Sequence, residues 1–269
     1  MYRIIACDLD ETLLTSGKTV SMKDREYIKK AREKGVRFVL ATGRGYETVQ
    51  NTLEEVGLKD AEGEYVISFN GAALTENKGN RLLFFEGITF EKAKKLFEFG
   101  LSKDVCIHVY TENVVYGWNV NDSERDYLAG KMPIVELEEP SIDFLKDEKL
   151  AKVLYMNLDY QYLRQIEKEI APLTMDMDVS FSSGRYIEFN RKGVNKGFGL
   201  RELAAILGID IKDTIAIGDN FNDLPMIEAA GLGVGVANTN KDMLTLCDYI
   251  TEADHNHNAV SEVIEKFIL

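Results

Sequence analysis

Apolar and polar positions follow two different patterns along the chain. At both ends, short continuous apolar runs alternate with helix-period segments. "RIIACDL", "VRFVLAT" and "YVISFNGA" are runs of the first kind. They leave no polar position to face water, as expected of strands buried on both faces. Between them lie "SMKDREYIKKAREKG" and "GYETVQNTLEEVG", which read as helices. Ser21 or Asp24 suits the start of the first, and Gly35 and Gly57 suit the two ends. This β-α-β-α-β order predicts a parallel sheet with helices on both faces.

The middle of the chain is patterned differently. From about "LLFFEGI" to "GRYIEFN" come period-2 stretches: "VCIHVYT", "VVYGWNV", "AKVLYMNLD" and "MDVSFSS". The first two, joined by "ENV", predict a hairpin. "TFEKAKKLFEFGLS" and "YQYLRQIEKEIAPL" predict helices among them. After Asn190 the first pattern returns in "VNKGFGLRELAAILG", "DTIAIGD", "NDLPMIEAAG", "LGVGVA" and "HNAVSEVIEKFIL". The expectation is an α/β core with a Rossmann-like parallel sheet, residues 1–82 and 190–269, interrupted by an α+β domain over 83–189.

Charge narrows the partners. A formal net charge of −13 repels phosphodiester backbones and anionic lipid, so neither nucleic acid nor membrane is expected as a partner. No run reaches the roughly 18 apolar residues of a membrane span. No secretory signal precedes the first strand, and the three cysteines, Cys7, Cys106 and Cys247, are widely spaced. They read as reduced core thiols of a cytoplasmic protein. A phosphate ligand would need a local cationic pocket working against the global field.

The first strand raises a question of its own, because it runs straight into Asp8 and Asp10. Ionised carboxylates beside a buried strand cost several kcal/mol unless paired. Ligands of parallel α/β sheets bind outside the carboxyl ends of the strands. Two further runs also end in polar residues: Thr42, Gly43 and Arg44 after one, Asp219 to Asp223 after another. Lys196 opens the helix after the insert. Converging at one rim, Asp8, Asp10, Asp219 and Asp223 make an oxygen-only donor set of the kind that suits Mg²⁺. Lys196 adds a second positive charge there. Thr42 and the amides near Gly43 suit phosphate oxygens at a helix N-terminus.

"DLDET", "ATGR", a lysine before a helix and "GDNFND", in this order, resemble the four motifs of the haloacid dehalogenase superfamily. "FNGA" and the large insert are similar to the Cof-type subfamily with a C2B cap. The resemblance covers nearly the whole chain and implies a phosphatase of small phosphorylated metabolites, such as sugar or cofactor phosphates, that works through an aspartyl phosphate. It implies Asp8 as nucleophile and Asp10 as general acid, then base. Thr42 and Lys196 would stabilise the transferring phosphoryl group. Asp8, the Asp10 main-chain carbonyl, Asp219 and Asp223 would form the Mg²⁺ site. Leu9, Gly43, Arg44, Asn70 and Asn222 would contact substrate. Glu11 departs from the pattern, since the family usually has glycine between Asp10 and Thr12. A phosphomutase using the same intermediate, or a non-enzymatic phospho-ligand sensor, remains an alternative, as does a monomer or a homodimer.

Other motifs weigh less. "GDNFND" is no EF-hand, because its third and sixth positions are Phe221 and Leu224 rather than an oxygen donor and glycine. "GRGYET" lacks the third glycine of a dinucleotide loop. The two histidines of "ADHNHN", His255 and His257, do not share a helix face and read as a capped helix start. His108 alternates into a strand of the insert and reads as packing.

Overall fold

A computed structural model describes all 269 residues. In chain order the first strands and helices are β1 (Ile4–Cys7), α1 (Met22–Glu33), β2 (Arg37–Ala41), α2 (Gln50–Glu55), β3 (Tyr65–Ser68), β4 (Ala73–Glu76) and β5 (Arg81–Phe85). Then come α3 (Phe90–Gly100), β6 (Cys106–Thr111), β7 (Val115–Trp118), α4 (Asp122–Leu128), β8 (Val135–Glu136), β9 (Leu150–Met156), α5 (Tyr160–Thr174), β10 (Met177–Ser182) and β11 (Tyr186–Arg191). The last are α6 (Lys196–Ile206), β12 (Thr214–Gly218), α7 (Leu224–Ala229), β13 (Leu232–Gly235), β14 (Tyr249–Ile250) and α8 (Ala259–Phe267). The chain forms two compact units, one of Met1–Phe84 with Asn195–Leu269, the other of Phe85–Val194.

The first unit is built on an eight-stranded sheet in the order β14-β13-β12-β1-β2-β3-β4-β5. From β14 to β3 every pairing is parallel. Alternation along the strands explains the continuous apolar runs. Ile5, Cys7, Phe38, Leu40, Ile215 and Ile217 point into one core, against α1 and α8 residues such as Ile28 and Val263. Ile4, Ala6, Val39, Ala41 and Ala216 point into the other, with Leu200, Leu203 and Met226 from α6 and α7. Neither face meets water, so period 2 is invisible in these strands. Each fully buried large aliphatic side chain contributes about 1.5–3 kcal/mol.

Helix ends follow local chemistry. Ser21 caps α1 by accepting from the Asp24 amide at 3.0 Å, and Gly35 beyond the helix takes φ +83°. Helix α8 begins at Asn258, which makes no side-chain cap. Asp24 of α1 supplies that role from a distance, accepting from the Ser261 amide at 2.7 Å.

The sheet extends further than the parallel pattern predicts. After β3 the chain turns through Phe69–Gly71 and β4 returns antiparallel, with β5 beyond it. The "LLFF" run, read as the start of the insert, is therefore largely the edge strand of this sheet. The second unit has a six-stranded sheet, β10-β11-β9-β6-β7-β8, antiparallel except for β7 with β8. Its core gathers Leu96 and Phe97 of α3, Leu163 and Ile166 of α5, and Ile107, Val153, Tyr155 and Phe189 of the strands. Because β11 pairs with β10 through Arg191, it lies whole in this unit, and the change of unit falls at Val194/Asn195 rather than 189/190. His108 is fully buried in β6, its ring beside Tyr110 and Tyr186.

Candidate functional site

The site is set by three neighbouring parallel strands. β1 lies between β12 and β2, and Cys7 is in register with both Ile217 and Leu40. Asp8, Thr42 and Asp219 follow these strands and so leave the same edge, on strands about 4.8 Å apart. The Asp8 amide extends the ladder by donating to the Ile217 carbonyl at 2.9 Å. Oxygens of Asp8, Asp219 and Asp223 lie within 4.8 Å of one another.

Lys196 reaches this group from the first turn of α6, where Asn195 caps the helix through the Phe198 amide. The lysine is fully buried. Its Nζ donates to Asp8 Oδ1 and, at 2.6 Å, to Asp223 Oδ1. That contact needs α6 and α7 close together. A Cβ at Gly197 would stand 2.1 Å from the Pro225 carbonyl oxygen, so only glycine permits the approach. Asp223 does more than pair with the lysine. Its Oδ2 accepts from the Asp219 amide at 3.0 Å and the Asn220 amide at 3.1 Å, fixing the turn that carries Asp219. The Thr12 hydroxyl then donates to Asp219 Oδ1 at 2.8 Å.

Three carboxylates thus face one ammonium, and the electrostatics follow. Burial, helped by the negative charge of Asp223, lifts the Asp8 carboxyl to about 7 against the opposing pull of Lys196. Burial and the charges of Asp8 and Asp223 lift Asp219 to about 8. Burial works against the Lys196 ammonium, but Asp223 and Asp8 outweigh it and hold that pKa above the usual lysine value. The donor set is all oxygen and carries excess negative charge, a combination that fits a hard divalent cation.

Asp10 belongs to a different constellation. Its side chain is absent from the acidic cluster and is gripped by Arg44, whose Nε donates to Oδ2 at 2.9 Å and whose Nη2 donates to Oδ1. Lys18 adds a contact at 3.3 Å. Burial would raise this carboxyl, but the two cations outweigh burial and hold it below the ordinary aspartate value. As a metal ligand Asp10 has only its main chain to offer.

The remaining candidates fall into place unevenly. Thr42 is buried, accepts from the Arg44 amide at 3.1 Å through its hydroxyl, and accepts from the Asn70 amide at 2.9 Å through its carbonyl. Asn70 sits at φ +55°, a conformation asparagine tolerates, and its side-chain oxygen lies 3.1 Å from where a Gly43 Cβ would be. Thr42, Gly43 and Asn70 therefore share one wall. Leu9 has its side chain fully buried in the hydrophobic core and can meet a ligand only through its main chain. Asn222 is half-buried in the turn before α7. Arg44 is occupied by Asp10. Sequence reading missed Thr12 and Lys18 as members of the site. Thr12 stood inside the first motif and could have been found there, whereas Lys18, in an irregular loop, carried no signal.

Glu11 also receives a physical account. Its φ is +62°, in the left-handed region where glycine is the least strained residue, and its side chain is exposed. The position thus asks for a backbone shape that glutamate can adopt at a cost, with its charge turned to solvent.

The chain is 30% identical to YxeH of Bacillus subtilis over 270 residues, which cover 100% of this chain and 99% of the relative. It is 27% identical over 293 residues to a B. subtilis protein named 5-amino-6-(5-phospho-D-ribitylamino)uracil phosphatase YwtE, with 99% and 98% covered. A crystal structure of a haloacid dehalogenase-like hydrolase from Bacteroides thetaiotaomicron matches with a TM-score of 0.86 at 29% identity, over the full length of both chains. The family model for haloacid dehalogenase-like hydrolases matches residues 5–264, and the chain belongs to that family.

Proposed function

We propose that this hydrolase is a Mg²⁺-dependent phosphatase of small phosphorylated metabolites that works through an aspartyl phosphate on Asp8. The observation that carries the reading is the buried Asp8–Lys196–Asp223 arrangement beside Asp219 at the carboxyl ends of adjacent strands. Asp8, Asp219 and the Asp10 carbonyl would hold Mg²⁺, with Asp223 behind them. When bound, the ion would supply positive charge to the phosphoryl oxygens and offset the crowded carboxylates.

Lys196 occupies Asp8 Oδ1 and leaves Oδ2 as the attacking oxygen. In the first step Asp8 bonds to phosphorus, the bond from phosphorus to the ester oxygen breaks, and that oxygen takes a proton from Asp10. In the second, Asp10 takes a proton from water as its oxygen attacks phosphorus, and the Asp8–phosphorus bond breaks to release phosphate. Lys196, the Thr42 hydroxyl and the amides after β2 stabilise the charge on the equatorial oxygens. Asp10 is held ionised by Arg44 and Lys18, the state its second-step role requires. To act as an acid it must take up a proton. An arriving phosphate competes for Arg44, weakens that grip and lets the carboxyl pKa rise.

The relative named for a phosphorylated ribitylamino compound supports a small sugar- or polyol-like phosphate as substrate. The net charge of −13 makes nucleic acid an unfavourable partner, and no helix is long and apolar enough to cross a membrane. The test is phosphate release from a panel of phosphorylated metabolites, with Mg²⁺ and with EDTA. It should be joined to mass spectrometry of acid-quenched enzyme for a phosphoryl group on the peptide bearing Asp8. The reading requires metal-dependent release and that adduct. Failure to release phosphate from any substrate with Mg²⁺ present would overturn it.

A further inference from the structure

Glu11 and the "ADHNHN" stretch took no part in the reading of the site, and the structure joins them. Glu11 lies inside a tight turn in which the amides of Thr12, Leu13 and Leu14 all donate to the Leu9 carbonyl, at 3.4, 3.1 and 2.8 Å. On one side of Glu11 is Asp10. On the other is Thr12, whose hydroxyl holds Asp219. At φ +62° the glutamate backbone is strained, and something must hold it there.

The Glu11 carbonyl accepts a hydrogen bond from Asn238 Nδ2 at 2.8 Å. Asn238 follows β13 and is itself oriented. Its Oδ1 accepts from the His255 amide at 3.0 Å and faces His255 Nδ1 at 3.1 Å. An amide oxygen receiving a main-chain N–H must present its nitrogen to the other side, so His255 fixes which end of Asn238 meets Glu11. A second tie lies four residues beyond Thr12. The Ser16 amide donates to Asn256 Oδ1 at 2.8 Å, and Ser16 Oγ lies 3.3 Å from His255 Nε2. The segment between Glu11 and Ser16 is thus fastened at both ends, to the loop after β13 through Asn238 and to the loop after β14 through Asn256, and His255 shares in both ties.

We propose that Asn238, oriented by His255, is a positioning residue that holds the Glu11 main chain in its left-handed conformation and thereby sets Asp10 and Thr12 for the reaction. The proposal rests on the phosphatase reading for its effect on turnover, but not for the clamp itself. It also assigns the departure at Glu11 a consequence. With glycine there the turn would need little holding, whereas with glutamate it depends on Asn238.

A double-mutant cycle tests this, comparing wild type, Asn238→Ala, Glu11→Gly and the double variant. The readouts are kcat and KM for p-nitrophenyl phosphate with Mg²⁺, and hydrogen exchange of the Thr12, Leu13 and Leu14 amides. Releasing a strained left-handed residue should lower kcat about tenfold in Asn238→Ala, with KM little changed, and speed exchange by a similar factor. Glu11→Gly alone should stay close to wild type, and in that background Asn238→Ala should lose most of its effect. Equal losses in both backgrounds, or exchange unchanged by Asn238→Ala, would overturn the clamp. Asn238→Asp keeps the acceptor for His255 and removes the donor to Glu11. It should reproduce the alanine pattern, and wild-type kcat and exchange in that variant would count equally against the proposal. If no variant and no wild type releases phosphate, the functional reading fails, while the exchange cycle still decides the clamp.

Discussion

Raising the pH from 6 to 9 without divalent cations should destabilise this protein, and Mg²⁺ should remove most of the loss. Asp8 and Asp219 titrate near 7 and 8 in the folded chain, far above the unfolded aspartate value of about 3.9. A carboxyl whose folded pKa is raised binds its proton more tightly when folded. Stability from such a group is therefore greatest at low pH and falls as pH climbs from the unfolded towards the folded pKa. Starting at pH 6, Asp8 continues to lose for about one unit and Asp219 for about two, roughly three units or ~4 kcal/mol in all. For a chain of this size that corresponds to a melting point lower by on the order of 10 °C. Held as proposed, by the ionised carboxylates of the folded state alone, Mg²⁺ would oppose the trend by mass action. Calorimetric melts at half-unit pH steps, in EDTA and in millimolar Mg²⁺, measure both slopes. Asp219→Asn, which cannot ionise, should flatten the EDTA curve. An EDTA melting point constant from pH 6 to 9, or an equal fall with Mg²⁺ present, would refute the reasoning.

Asp8→Asn keeps an oxygen for Lys196, so it should fold normally, yet turnover should drop by several orders of magnitude in a phosphate-release assay. Asp10→Asn should slow an alkyl phosphate roughly 10²–10⁴-fold. Formation of the phosphoenzyme from p-nitrophenyl phosphate should suffer less in rapid-quench measurements, because that leaving group departs without protonation. Lys196→Met leaves two buried carboxylates without their cation and should cost about 3–5 kcal/mol in denaturant melts, more at pH 8 than at pH 6.

Much of the fold was legible because the core strands are buried on both faces. "IIAC" and "FVLA" show unbroken apolar runs, and alternation with helices then fixes parallel pairing through right-handed crossovers. The antiparallel edge was not legible. The turn from β3 to β4 is made by Phe69 and Asn70, both at positive φ, and by Gly71, and only "FNG" hints at it. Strand β14 and helix α4 are too short, at 2 and 7 residues, for periodicity to register. At the site, acidic residues after β1 and β12 could be placed from strand ends alone. The grip of Arg44 and Lys18 on Asp10, and of Thr12 on Asp219, could not. Arg44 and Asp219 reach these contacts from far off in sequence, and Lys18 from an irregular loop that carries no periodic signal.

The placement of Lys196 shows why these distant residues must act together. A lone buried lysine would be driven towards its neutral form, but here Asp8 and Asp223 hold it charged. The same lysine leaves the cluster one cation short, with three carboxylates against it. A second lysine would have neutralised more charge and weakened the pull on a divalent ion. A hydrophobic residue would have left Asp8 to take a proton, and a protonated carboxyl is a poor nucleophile. One buried ammonium between Asp8 and Asp223 keeps the proposed nucleophile oriented and leaves the remaining negative charge facing Asp219, where the cation would sit. Gly197 is the local condition for this arrangement, since any Cβ there would press on the Pro225 carbonyl and push Lys196 away from Asp223.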